Sequence, residues 1–130
     1  YDYYTTTKGI LEKVKTHAGD VDFEVQPELL SLFSNRDFGR YAGEKGEMNV
    51  CFISNNDITG GNSGSAMFNA RGELLGLAFD GNWEAMSSDI LYEPKMQRCI
   101  GVDVRYILFM IEKYGKAGDL IRELKIVSGK

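Results

Sequence analysis

Histidine, cysteine and proline are nearly missing from this 130-residue sequence, which holds one His, two Cys and two Pro. A single histidine and two distant cysteines, with scattered carboxylates and no Cys-x-x-Cys spacing, offer no metal-ligand set, so no metal is expected. A glycine loop for phosphate is missing too. Gly60-Gly61-Asn62-Ser63-Gly64 has no lysine after it and opens no helix, so no cofactor is expected. Two cysteines cannot staple a disulfide-rich scaffold, although one bridge between Cys51 and Cys99 stays open. There is no basic excess: 15 Lys and Arg face 19 Asp and Glu, for a net charge of −4. That balance argues against a nucleic-acid partner, and the scattered basic residues argue against a membrane surface. The longest uninterrupted apolar run, Tyr106 to Ile111, falls far short of the ~20 residues of a membrane span. The start, Tyr-Asp-Tyr-Tyr, is neither a methionine nor a charged leader, so the chain reads as a processed chain or a piece of something longer.

What is present is globular in character. Apolar residues make up 43% and charged residues 26%, and a chain of this size buries roughly two-thirds of the surface it exposes when unfolded. Tyr3 to Thr7 is β-branched and aromatic; with Ile10 to Thr16 it reads as one or two strands bulged at Gly9. The rival is a helix, because Ile10, Leu11 and Val14 stand at helical spacing. Pro27 followed by Glu28, Leu29, Leu30, Leu32 and Phe33 predicts a short helix, and the glycine-rich stretch from Asn35 to Glu47 a loop. Met48 to Ser54 predicts a strand buried on both faces toward its end. Ala66 to Phe68 and Glu73 to Phe79 predict two strands joined by the turn Asn69-Ala70-Arg71-Gly72. Near the C-terminus Asp103 is placed to cap a helix from Val104 to Tyr114, with Ile107, Leu108 and Ile111 inward and Gly115 as its stop. Asp119 is placed to cap a second, Leu120 to Lys125. Strands first and helices last suggest a mainly β unit closed by C-terminal helices.

The chemistry lies in Asp57-Ile58-Thr59-Gly60-Gly61-Asn62-Ser63-Gly64-Ser65-Ala66-Met67. Glycines around a serine let the backbone turn tightly and aim its amides into one cavity. Acyl transfer needs that arrangement: an exposed serine oxygen, with N–H groups nearby to bind the oxyanion. An α/β-hydrolase elbow would need a helix directly after the serine, and Ser65 to Phe68 runs into Asn69 and Gly72 instead. The rival is a glycine-rich hairpin loop without chemistry.

The order Gly-Asn-Ser-Gly resembles the nucleophile loop of chymotrypsin-like peptidases. With Gly76-Leu77-Ala78-Phe79-Asp80-Gly81-Asn82-Trp83-Glu84 and Val102-Asp103-Val104-Arg105-Tyr106, the run from Asp57 to Met67 is similar to the bacterial dipeptidyl-peptidase 7 and 11 family, serine exopeptidases built on a double β-barrel with an inserted helical domain. The resemblance covers nearly the whole chain. It implies one half-barrel of a chymotrypsin-like double β-barrel over residues 1–102, with C-terminal helices, 103–130, packed on it. It also implies that Ser63 is the nucleophile and that the Gly61 and Ser63 amides form the oxyanion hole. Asp80 would anchor the substrate's free α-ammonium group, as a carboxylate can through a charge-assisted hydrogen bond; a strand-end aspartate capping a turn is the plainer reading. Gly81 stands where the branch selecting acidic substrate residues carries arginine, so its pocket is expected to be roomy, neutral and suited to apolar side chains.

The histidine and aspartate of a triad would lie in the first barrel, outside these residues, so the chain alone is expected to be inactive. His17 could be a base only if the chain acted alone, and its polar setting reads as an exposed histidine. Asp57, six residues before Ser63, sits where trypsin-like enzymes select basic residues, but is read as a turn aspartate. Trp83 and Phe79 are read as core or pocket wall. Expected partners are peptide substrates, the first half-barrel with its helical domain, and a second copy in a homodimer. The expected location is the periplasm or cell surface of a Gram-negative bacterium. Rival functions are a trypsin-like endopeptidase fragment using Asp57, and a non-catalytic β-rich binding module.

Overall fold

The computed structural model describes residues 2–43, 45–87, 90–91 and 93–128. Five strands form one sheet: β1 (Tyr4–Thr6), β2 (Asn49–Ser54), β3 (Ala66–Phe68), β4 (Leu74–Gly81) and β5 (Cys99–Asp103), in the order β1-β2-β5-β4-β3. The pairs β2–β5, β5–β4 and β4–β3 are antiparallel. Among the described residues four α-helices accompany them: α1 (Thr7–Thr16), α2 (Pro27–Ser34), α3 (Val104–Phe109) and α4 (Gly118–Arg122). A π-helical turn, Met110–Tyr114, continues α3.

The chain forms two compact units: Tyr1–Tyr4 with Cys51–Val104, and Thr5–Val50 with Arg105–Lys130. The N-terminal helices therefore group with the C-terminal ones, which neither a cut at 102/103 nor an order of strands first and helices last anticipates.

In the sheet unit a small core forms from Met67, Ala78 and Cys99, with Phe52 and Ile58 packed against it. The Asn69–Gly72 turn forms as expected. Asn69 Oδ1 accepts from the N–H groups of Arg71 (2.9 Å) and Glu73 (3.1 Å), and Gly72 takes φ +74°. One strand reading needs correction. β2 is half-buried along its whole length rather than buried at its end. In β4 only Gly76 and Ala78 are buried, while Leu75 and Phe79 are 43% and 42% exposed. A register shift between Ala78 and Asp80 bulges β4 against β5, setting Asp80 opposite Ile100 and Gly81 opposite Cys99. Bulges of this kind re-aim side chains at the ends of strands.

In the helical unit Phe33, Phe38, Tyr41, Met48 and Phe109 are buried together. The Phe109 ring lies 6.0 to 6.3 Å from those of Phe33, Phe38 and Tyr106. The expected second strand at Ile10 to Thr16 is helix α1, and Gly9 sits inside it without a bulge. Helical spacing prevails because it lets Ile10 and Leu11 pack on that aromatic core. The stretch read as loop supplies two core residues, Phe38 and Tyr41, the latter in a 3-10 turn at Gly39–Tyr41. On α3 the fully buried residue is Phe109, flanked by Tyr106 and Leu108; neither Ile107 nor Ile111 is buried. The helix does end at Gly115, but the left-handed residue after it is Lys116, φ +54°. α4 starts at Gly118 with Ala117 as its N-cap; Asp119 lies inside the first turn and pairs with Arg122.

Candidate active site

The loop between β2 and β3 is shaped by its own polar groups. Asn62 accepts at Oδ1 from the Thr59 N–H (2.9 Å), and its N–H donates to the Thr59 carbonyl (3.2 Å). Gly61 and Gly64 both take positive φ, +94° and +89°, conformations that side chains rarely adopt. Beyond them the loop is tied to β4: the Gly64 N–H donates to Ala78 O (2.7 Å), and the Ala78 N–H to Ser65 O (2.9 Å). The amides of Gly61 and Ser63, by contrast, donate to nothing among the described residues. Two free N–H groups thus flank an exposed serine whose Oγ donates to Phe79 O at 3.3 Å.

A cavity of about 260 Å³ opens at this serine, lined by Ser63 with Ile58, Phe79, Asp80, Gly81, Ala85 and neighbouring residues. Asp80 is exposed, and its Oδ1 accepts from the Gly81 N–H at 2.8 Å. Gly81 has less room than its lack of a side chain suggests. A Cβ there would stand 2.8 Å from Ala85 Cβ, 3.7 Å from Arg98 O and 3.8 Å from Ile58 Cγ2. Ala85 and Met86 reach the cavity from a 3-10 turn, Trp83–Ser87, that Asn82 fastens. Asn82 Nδ2 donates to Glu84 Oε2 (2.7 Å) and Met96 O (2.8 Å), while Oδ1 accepts from the Arg98 N–H (2.8 Å). Its backbone donates to Arg98 O and accepts from the Ala85 N–H, both at 2.9 Å.

The sequence profile of peptidase S46 matches residues 1–126. The chain belongs to the peptidase S46 family. It is 57% identical over 129 residues to dipeptidyl-peptidase 7 of Porphyromonas endodontalis, covering 99% of this chain and 15% of that protein. It is 47% identical to an Asp/Glu-specific dipeptidyl-peptidase of Capnocytophaga gingivalis, over 98% of this chain and 18% of that one. Among solved structures it superposes on Porphyromonas endodontalis DPP11 in complex with the dipeptide Arg-Asp, with a TM-score of 0.91 and 42% identity. The match covers 96% of this chain and 18% of that one. The chain therefore spans about a sixth of the length of these S46 relatives.

Within this S46 chain Ser63, Asp80 and Gly81 share one cavity, and Phe79 forms part of its wall. The other residues singled out from sequence lie elsewhere. Trp83 is 82% exposed and lines no part of the cavity, so it is neither core nor pocket wall. Asp57 is exposed and has no hydrogen-bond partner among the described residues; the turn role expected of it belongs to Asn62. His17 belongs to the helical unit, exposed, with its ring stacked on Phe23 at 4.1 Å and Nδ1 2.9 Å from Thr16 Oγ1. Neither Cys51 nor Cys99 is in a disulfide. Cys51 faces Val102 across the ladder while Cys99 faces Ser54, about 10 Å further along by strand rise, so no bridge spans them. Burial pushes the Cys99 thiol up. Sequence reasoning passed over Ile58, Asn82, Ala85 and Met86; only the polar-glycine turn around Asn82 hinted at them.

A larger cavity, about 930 Å³, lies in the helical unit beside Arg40, Tyr41, Glu112 and Lys113. Its charges are already matched. The Tyr41 hydroxyl donates to Glu112, Arg40 Nη2 is 3.4 Å from the same carboxylate, and Lys113 pairs with Asp37 at 2.8 Å. The Tyr41 bond, foremost, holds the Glu112 carboxyl below its usual range. Such a network has a packing role and offers no activated nucleophile. Among the described residues no group of three His, Cys, Asp or Glu could hold a metal, and no helix is long and apolar enough to cross a membrane.

Proposed function

We propose that this chain is the nucleophile-bearing part of a serine dipeptidyl-peptidase, which removes dipeptides from free peptide N-termini and prefers apolar residues before the cut. The observation that carries the reading is one cavity shared by Ser63, Asp80 and Gly81, together with Gly61 and Ser63 amides that have no partner among the described residues. Ser63 Oγ attacks the scissile carbonyl, and the Gly61 and Ser63 N–H groups receive the oxyanion. Asp80 holds the substrate's α-ammonium group, which makes the enzyme count residues from a free terminus. Apolar preference follows from the remaining wall: Ile58, Phe79, Ala85 and Met86 line the cavity, and no cation does among the described residues.

The base and its orienting carboxylate come from the other half of a chymotrypsin-like double barrel, with this sheet as the second half. The chain is therefore inactive alone, on the order of 10⁴ to 10⁶ slower than the complete enzyme. That enzyme is a homodimer of the periplasm or cell surface. The trypsin-like alternative is disfavoured because Asp57 does not line the cavity.

The test uses the complete enzyme. A fluorophosphonate probe labels it and fails to label Ser63→Ala; free-terminus dipeptidyl reporters are cleaved and N-blocked ones are not. Xaa-Leu reporters outrun Xaa-Asp. Labelling that survives Ser63→Ala removes the nucleophile assignment, and faster cleavage of the aspartyl reporter removes the apolar preference.

A further inference from the structure

The glycine at 81 and the alanine at 85 compete for one volume. A Cβ on residue 81 would approach Ala85 Cβ to 2.8 Å, closer than side-chain carbons tolerate, so one position must be glycine for the other to carry a methyl group. The turn bearing Ala85 cannot easily yield. Asn82 ties it to Met96 and Arg98 through three hydrogen bonds of 2.8 to 2.9 Å, besides the bond to Glu84. On the remaining sides, Ile58 and the Arg98 carbonyl close in at 3.8 and 3.7 Å.

We propose that Ala85 is a specificity-determining residue: its volume sets how large a side chain the cleft accepts before the cut, and that volume is coupled to residue 81. The proposal rests on the reading of the Ser63 cavity as the dipeptidyl-peptidase site. Asn82 acts as a positioning residue, holding the alanine where it limits the pocket. A pocket so built discriminates by shape, and one methylene in an apolar pocket is worth about 10- to 200-fold.

The test compares Xaa-Ala with Xaa-Phe reporters in the complete enzyme, read as the ratio of their kcat/KM values so that a loss common to both cancels. Ala85→Val lowers the Phe/Ala ratio at least tenfold, and Ala85→Gly raises it several-fold. Gly81→Ala lowers the ratio, and Gly81→Ala with Ala85→Gly restores it to within threefold of the unmodified enzyme. Should Ala85→Val abolish both reactions, the glycine variant and the reciprocal swap decide. A Phe/Ala ratio that moves less than threefold in both Ala85 variants overturns the proposal, as does a swap that restores nothing. Failure of the unmodified enzyme to cleave either reporter instead overturns the underlying assignment.

Discussion

Replacing Asn82 by alanine releases the turn that walls the candidate site. The change removes the two Nδ2 bonds, to Glu84 and Met96, and the Oδ1 bond from Arg98. Each such bond contributes about 0.5 to 1.5 kcal/mol net. One lies in exposed surroundings where water replaces it readily, so the sum is roughly 2 to 3 kcal/mol. That energy opposes a local opening of the turn, and its loss multiplies the opening constant by about 30- to 140-fold. Hydrogen exchange followed by mass spectrometry on the complete enzyme reads this at the Ala85 and Arg98 amides, whose acceptors are Asn82 O and Asn82 Oδ1. Asn82→Asp keeps the acceptor for Arg98 but sets a carboxylate against Glu84, so it does not restore protection at neutral pH. Discrimination between large and small reporters shrinks alongside. Exchange at both amides within threefold of the unmodified enzyme would refute the clamp.

Other consequences are as direct. On the proposed anchoring role, Asp80→Ala in the complete enzyme cuts cleavage of free-terminus dipeptidyl reporters roughly 30-fold or more, because the bound ammonium would lose its counter-charge; a loss within threefold refutes that role. Phe109→Ala deletes a ring packed on Phe33, Phe38 and Tyr106 and destabilises the helical unit by about 3 to 5 kcal/mol, seen as faster exchange at 29–41. Glu112 is held below its usual pKa, first by the Tyr41 hydroxyl, so its support is complete above the ordinary carboxylate range and disappears as pH falls through the folded value. Acid loosening of the helical unit below about pH 5 should accordingly weaken in Glu112→Gln, and an unchanged acid profile counts against the bond. Cys51, half-buried, should alkylate before Cys99, which is 2% exposed and whose thiol burial pushes up; peptide mapping showing equal rates contradicts this.

What sequence could reveal divides by the range of the forces involved. The Asn69–Gly72 turn was legible because its determinant acts within four residues, Asn69 on the amides of Arg71 and Glu73; in the Ser63 loop the equally local determinant is Asn62, acting on Thr59 and Ser65, where sequence pointed to Asp57. Helix α2 was legible for the same reason, with Pro27 at its first position and Glu28 in its first turn. Where local preference was balanced, packing decided. Residues 10–16 carry both β-branched and helical signals, and the aromatic core selects the helix by packing against Ile10 and Leu11. Strand β5 could not be foreseen from Cys-Ile-Gly-Val-Asp, since its status depends on β2 and β4 pairing along both its edges. Asn82 escaped notice because its partners Met96 and Arg98 lie 14 and 16 residues away.

Gly81 shows how the space around a residue departs from what its sequence suggests. Its sequence reading turned on charge: no arginine, hence a neutral pocket with space to spare. The cavity does lack a cation among the described residues, but the space is already taken, because Ala85 occupies the volume into which any side chain at 81 must grow. An arginine introduced at 81 therefore meets a steric cost before its charge can act. Gly81→Arg alone should give a damaged enzyme, slow on Xaa-Leu and little improved on Xaa-Asp. Removing the opposing methyl as well, with Gly81→Arg and Ala85→Gly together, frees the Cβ, so that the guanidinium can meet a substrate carboxylate in a partly dry pocket. The double variant should favour Xaa-Asp over Xaa-Leu at least tenfold more than Gly81→Arg does. If the single variant already switches preference with full rate, the turn yields freely and charge, not volume, governs this position.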